Sequence, residues 1–243
     1  MEVGDQKSVP QLSEFAAEVL FRFRAGPVKF LRWIVDRVSD GRQDRAIGIV
    51  SSGQHGPKEL HFESPDSVFY QPASYRDMRE MFNSLQISQD DVFLDFGSGM
   101  GRVLCVAACY PFRAVIGVEV SPELCDIARL NVRRIAGRLR CKDVRVINTN
   151  AASFDIPAEA SVIFLFNPFG GATLAQVLEK LGASLQQHPR EIEVLFYGTV
   201  SAARFRQEAW KHDCLKLLSE ARLSTGALLL RYRGKSTAKD EPV

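Results

Sequence analysis

Apolar residues recur along this chain with two periods, and the change between them divides it. From 11 to 39, Leu12, Phe15, Ala16, Val19, Leu20 and Phe23, then Phe30, Leu31, Ile34 and Val35, are spaced as on one face of a helix. Gly26-Pro27 separates the two runs, and Pro27 suits the first turn of the second helix. Residues 40–68, rich in Gly, Ser, Asp and Gln, read as loop with one short strand at 46–50. A helix is predicted over 74–85. Beyond it, short apolar runs alternate with helical patterns. Strands are predicted at 92–96, 115–119, 144–148, 162–166 and 192–197, and helices at 101–109, 122–135, 171–185 and 202–211. Such alternation implies right-handed crossovers and a parallel sheet buried on both faces. Two more strands, 214–218 and 227–232, are joined by a short polar stretch. Residues 235–243 read as a disordered tail.

Composition narrows the class. With 243 residues the chain is long enough for one sizeable domain and an extension, and no internal repeat divides it. Lys and Arg number 31 against 29 Asp and Glu, so no global field argues for nucleic acid or an anionic membrane. The five cysteines are odd in number and match no metal spacing. Cys105 and Cys109 fall on a helix predicted to be buried, where cysteine acts as a small apolar residue. This usage suits a reducing compartment, hence the cytoplasm. The first residues lack a basic stretch followed by an apolar core, so no signal peptide is expected. No run of about 18 apolar residues exists, so no spanning helix is expected.

Candidate chemistry concentrates where the first core strand ends, in Asp95-Phe96-Gly97-Ser98-Gly99-Met100-Gly101-Arg102. A strand, a glycine turn and a helix in that order describe a loop that takes an adenosine-type ligand at the tip of a parallel sheet. Glycines there permit positive φ and let the backbone approach a ligand. A dinucleotide fingerprint would require glycine at position 102, where this chain has Arg102. Asp95, two residues before Gly97, would repel a pyrophosphate and attract the ammonium of an amino-acid moiety. Glu119 ends the next apolar run, about 20 residues on, where a ribose hydroxyl needs an acceptor.

Together these residues resemble the class I, seven-strand methyltransferases that use S-adenosyl-L-methionine (SAM) and release S-adenosyl-L-homocysteine. The resemblance covers residues 68 to 232. It implies an α/β fold: a seven-stranded, mostly parallel, doubly wound sheet with an antiparallel C-terminal strand, plus an N-terminal helical extension. The implied division is 1–67 as extension and substrate region, 68–234 as the methyltransferase domain, and 235–243 as tail. Carried over by position, Asp95 lies near the SAM amino group, with Phe96 beside it. Gly97, Ser98, Gly99 and Gly101 line the methionine and ribose, and Glu119 takes the ribose hydroxyls. Val120 touches the adenine, and Asn150, followed by Ala151, accepts from the adenine amino group. Arg102 pairs with Asp95 or with the SAM carboxylate.

Two further segments refine the resemblance. Asn167-Pro168-Phe169 at the end of the fourth strand is similar to the Asn/Asp-Pro-Pro-aromatic motif of amino-group methyltransferases. That likeness implies that Asn167 and a carbonyl near Pro168 hold the target nitrogen and that Phe169 walls the pocket. Tyr70-Gln71-Pro72-Ala73-Ser74 resembles the entry loop of seven-strand protein-lysine methyltransferases and makes Tyr70 a lid or acceptor-site candidate. The expected acceptor is an amine on a protein or a small molecule. Small-molecule N- or O-methylation, and a non-catalytic SAM-fold module acting through its N-terminal helices, stand as alternatives. Nucleic acid and metal are not expected. His55, His61, His188 and His212 are scattered, with His55 and His61 kept as weak general-base candidates. Arg133, Arg134, Arg138 and Arg140 suit the C-terminal dipole of their helix. The basic, apolar run around Phe21 to Ile34 fits packing against the core or contact with a membrane surface.

Overall fold

Runs of consecutive apolar residues such as Val92-Phe93-Leu94 suit strands covered on both faces, and they become the centre of a sheet. The structure is a computed structural model that describes residues 26–52, 70–167, 169–198 and 202–235. In order the elements are α1 (Pro27–Ile47), α2 (Tyr75–Asn83), β1 (Val92–Phe96), α3 (Arg102–Ala107), β2 (Ala114–Glu119), α4 (Pro122–Arg134), β3 (Asp143–Asn148), β4 (Val162–Phe166), α5 (Gly171–Gln187), β5 (Glu191–Gly198), α6 (Ala202–Ala209), β6 (Leu215–Arg222) and β7 (Leu228–Lys235). The seven strands lie in the order β3-β2-β1-β4-β5-β7-β6. β1 to β5 are parallel, and β7 runs antiparallel to both β5 and β6.

Alternate residues of each strand serve opposite faces. Leu94, Ile116 and Leu165 pack with Leu178 of α5 and Phe205 of α6. Phe93, Val115 and Phe164 pack with Met78 and Phe82 of α2 and Leu104 of α3. The chain leaves β1 towards β2 and β3, then returns to β4 on the other side of β1. The crevice between the carboxyl ends of β1 and β4 is therefore the switch point at which open α/β sheets bind ligands.

The chain divides into two units, Met1–Gln43 and Asp44–Val243. In the first, Leu31, Ile34, Val35 and Val38 of α1 follow helical spacing and are exposed. The helix expected before Gly26, the loop with His55 and His61, and residues 236–243 lie outside the described residues; Lys235, expected in the tail, instead ends β7, paired with Glu191 of β5. Among the described residues, no helix is long and apolar enough to cross a membrane.

The strand expected at 46–50 is not formed. α1 continues through Ile47 and stops at Gly48, whose φ is +92°. The N–H groups of Gly48 and Ile49 both donate to the Asp44 carbonyl, at 2.8 and 2.9 Å. A left-handed glycine just past the helix satisfies carbonyls that would otherwise be orphaned. Residues 49–52, within the second unit, then form a strap tied to Asn131 of α4 and Arg102 of α3. Cys109 is exposed rather than buried, because α3 ends two residues earlier, at Ala107.

Candidate active site

β1 carries Asp95 into the switch point. Every β1 residue is buried, Asp95 included, and its Oδ2 has no hydrogen-bond partner. Burial, and then the charge of Glu119, hold its carboxyl well above the usual carboxylate range. The turn that follows is pinned to β2: the N–H groups of Gly97 and Ser98 both donate to the Val118 carbonyl, at 2.8 and 3.1 Å. Gly99 and Gly101 have φ of +53° and +77°. A Cβ on Gly101 would lie 2.9 Å from the Ala128 Cβ of α4, so this glycine is also needed for helix packing. The buried Ser98 hydroxyl lacks a partner, like Asp95 Oδ2.

Glu119 closes β2 and bends back onto the turn. Its Oε2 accepts from the Gly99 N–H at 2.8 Å, and its Oε1 from the N–H groups of Val120 and Ser121 at 2.9 and 3.0 Å. Burial raises its pKa, and these three donors oppose the rise. Asn148, at the end of β3, donates to the carbonyls of Glu119 and Val120 at 3.0 and 2.8 Å and so fixes the backbone beneath that carboxylate. Tyr70 lies on the same turn. A Cβ on Gly99 would sit 2.3 Å from its ring, and its hydroxyl donates to the Ser51 carbonyl at 2.8 Å.

The structure separates the remaining expected residues into three places. Asn150 caps a short 3₁₀ turn, its Oδ1 accepting from the Ala152 N–H at 2.9 Å, so the oxygen assigned to the adenine already has a local partner. Ala151 is buried in the core. Asn167 follows β4 with φ of +38°, the one positive φ among described residues other than glycine. Its carboxamide lies against Gly198 at the end of β5, where a Cβ would be 2.2 Å from Oδ1. Phe169 packs on the core, half-buried, and Pro168 lies outside the described residues. Arg102 does not pair with Asp95. Its guanidinium reaches Asp44, at the end of α1, and the strap beyond it. Arg138 likewise serves another element than its own: it donates to the Ala46 and Ile47 carbonyls of α1. His188 and His212 precede β5 and β6, away from the carboxyl edge. Among the described residues, no group of His, Cys, Asp or Glu could hold a metal.

Several contributors were not expected. Asp44, Ser51, Ser52 and Gly198 carried no local signal. Asn131 did carry one, as a polar residue in the apolar stripe of α4 formed by Leu124 and Ala128. Fully buried, it donates to the Val50 and Met100 carbonyls at 2.8 and 2.9 Å and accepts from the Val50 N–H at 2.9 Å.

An occupant of this crevice must bring a cationic or donor group to Asp95 and fit a backbone cradle that admits no Cβ. The α-ammonium and ribose of SAM meet those demands. The reversed β7 and the turn between two acids place the chain among class I SAM-dependent methyltransferases. A family model described as histone methylation protein DOT1 matches residues 57–194, more than half of the chain, and the chain belongs to that family. A protein-lysine N-methyltransferase of Saccharolobus islandicus is 30% identical over 41% of this chain and 60% of that protein. A histone-lysine N-methyltransferase, H3 lysine-79 specific, of Cryptococcus neoformans is 31% identical over 46% of this chain and 18% of that protein. The chain thus spans less than two thirds of either relative. Among solved structures, an RNA methyltransferase of Salinibacter ruber in complex with S-adenosyl-L-homocysteine aligns with a TM-score of 0.51. It is 19% identical and covers 70% of this chain and 98% of its own, a likeness of fold.

Proposed function

We propose that this protein is a cytoplasmic enzyme that transfers a methyl group from SAM to the side-chain amine of a protein lysine. The observation that carries the reading is Asn167, held in a rare backbone conformation at the end of β4 with its carboxamide seated on Gly198. Two relatives whose names specify lysine N-methylation support the choice of acceptor.

In this reading Asp95 and Phe96, with the backbone at Gly97, Ser98, Gly99 and Gly101, hold the methionine end of SAM. Glu119 takes the ribose hydroxyls, and Val120, Asn150 and Ala151 border the adenine. Bound there, SAM supplies an electrophilic methyl carbon. The amine nitrogen attacks with its lone pair as the carbon–sulfur bond breaks, so it must arrive unprotonated, which an apolar pocket favours. Asn167 Oδ1 and a carbonyl near Pro168 accept from the amine and aim the lone pair, and Phe169 walls the pocket. Positioning of this kind supplies much of the rate of such a transfer. Tyr70 closes the cofactor side. Residues 1–67 select the acceptor, and 68–234 carry the chemistry.

The test is incubation with SAM carrying a tritiated methyl, using histone H3, unfractionated cell protein and a small-molecule extract as acceptors. The reading predicts label recovered as methyl-lysine after hydrolysis of protein. Label confined to small molecules would overturn the protein acceptor, and label on oxygen would overturn the role given to Asn167.

A further inference from the structure

Among the described residues Arg102 has the largest of the fully buried side chains, and it directly follows the last glycine of the cofactor turn. Its Nε donates to Ser51 Oγ at 2.8 Å and its Nη1 to the Ala73 carbonyl at 2.9 Å. Its Nη2 reaches Ser52 Oγ at 3.1 Å and Asp44 Oδ2 at 3.3 Å, and the guanidinium lies over the Tyr75 ring at 4.6 Å. Asp44, also buried, accepts from the Ser51 N–H and hydroxyl at 2.9 and 2.8 Å, from Ser52 Oγ at 2.6 Å and from the Tyr75 hydroxyl at 2.7 Å. Burial would raise the Asp44 carboxyl, but these hydroxyls and the guanidinium outweigh it and hold the carboxyl below its ordinary value.

We propose that Arg102 is a positioning residue of the cofactor site, because its pair with Asp44 fastens the strap 49–52 and the Tyr70 ring onto the glycine turn. Three segments meet at this one guanidinium: the end of α1, the strap, and the approach to α2. The consequences run to the turn. Ser51 offers its carbonyl to the Tyr70 hydroxyl, Tyr70 packs on Gly99, and Gly99 donates to Glu119. Asn131 ties Val50 of the strap to Met100 of the turn. A buried guanidinium without its carboxylate is costly, so the strap and the pair form together. The planar fork is essential, since an ammonium at the same place cannot reach four acceptors held in those directions. Of the network, Ala73 and Tyr75 also belong to an apolar cluster on one face of the sheet, as does Ile49 of the strap, while Asp44, Ser51, Ser52 and Arg102 do not.

The inference rests on the assignment of this turn to SAM, and its test separates the two. S-adenosylhomocysteine is titrated calorimetrically into wild type, Glu119→Ala, Arg102→Lys, Asp44→Asn and Tyr70→Phe, each well below its own melting temperature. Arg102→Lys and Asp44→Asn are expected to weaken binding about tenfold or more, and Tyr70→Phe about threefold. The double variant is expected to bind no worse than the weaker single one, since both remove the same pair. Lower melting temperatures with unchanged affinity would make the pair purely structural and overturn the proposal. If Arg102 or Asp44 variants fail to fold, Tyr70→Phe decides, because it removes the hydroxyl that holds Ser51 and leaves the ring in place. Wild type that does not bind would overturn the cofactor assignment and this inference with it. Wild-type binding lost in Glu119→Ala but retained by the folded Arg102, Asp44 and Tyr70 variants would overturn this inference alone.

Discussion

Replacing Gly198 by alanine tests the placement of Asn167 directly. β4 and β5 are in register at Phe166 and Tyr197, so Asn167 and Gly198 are the next residues in step at the sheet edge. An alanine Cβ would lie 2.2 Å from Asn167 Oδ1, 2.9 Å from Cγ and 3.2 Å from Nδ2, where ordinary contact begins at 3.4 Å. The carboxamide must withdraw by about 1 Å to restore normal van der Waals separation. Its backbone has little freedom to follow, since φ of +38° already lies in a sparsely populated region for a residue with a Cβ. A misplacement of about 1 Å at a positioning group costs about 100-fold in rate. That corresponds to about 2.7 kcal/mol of transition-state stabilisation. The expected result is kcat for tritiated-methyl transfer to protein lowered about 100-fold, with S-adenosylhomocysteine affinity within about threefold of wild type. Gly198 itself has φ of +158°, so alanine there also carries a backbone cost of its own; on an Asn167→Ala background the further loss of kcat should be much smaller than in wild type, because the displaced group is gone. A Gly198→Ala enzyme with kcat near wild type would refute the reasoning and free Asn167 from the role given to it.

Other perturbations follow from the same geometry. The native pKa of Asp95 is raised above its unfolded value, so the ligand-free protein binds that proton more tightly when folded. Stability should therefore fall as pH rises from about 4 through the raised native value. Asp95→Asn should flatten that decline, leaving the part due to Glu119, and melting curves at several pH values would show it; parallel declines in the two proteins would contradict it. Asn131→Ala strands two carbonyls and one N–H, and urea unfolding should register a loss of about 3 kcal/mol. A loss well under 1 kcal/mol would mean that the strap carries no stability. Gly101→Ala meets Ala128 at 2.9 Å and requires an alanine at φ +77°, so a cost of about 2 kcal/mol is expected in the same assay.

What the sequence disclosed depended on burial and distance. β1 and β2 are buried at every position, and their unbroken apolar runs could be recognised as strands. β6 was expected at 214–218 and extends over Leu215–Arg222, because an exposed edge strand can carry Glu220 and Arg222 without an apolar signature. The last turn of α1 was hidden by polar residues such as Gln43, Asp44 and Arg45, whose role there depends on the rest of the fold. The glycine turn was legible because its requirement is local: backbone at positive φ and no room for a Cβ. Arg102 shows the opposite case. A cation at the start of the first core helix suggested Asp95 or the SAM carboxylate as partner, but the partner is Asp44, 58 residues away in sequence, and only the packed chain brings the two together. Gly198 was equally hidden, since its importance lies in a side chain on the neighbouring strand.

The most direct measurement is a calorimetric titration of S-adenosylhomocysteine into wild type and Glu119→Ala, with circular dichroism to show that both are folded. Wild type should bind one ligand per chain, and the variant should lose that binding. A folded wild type that takes up no ligand would contradict the cofactor assignment.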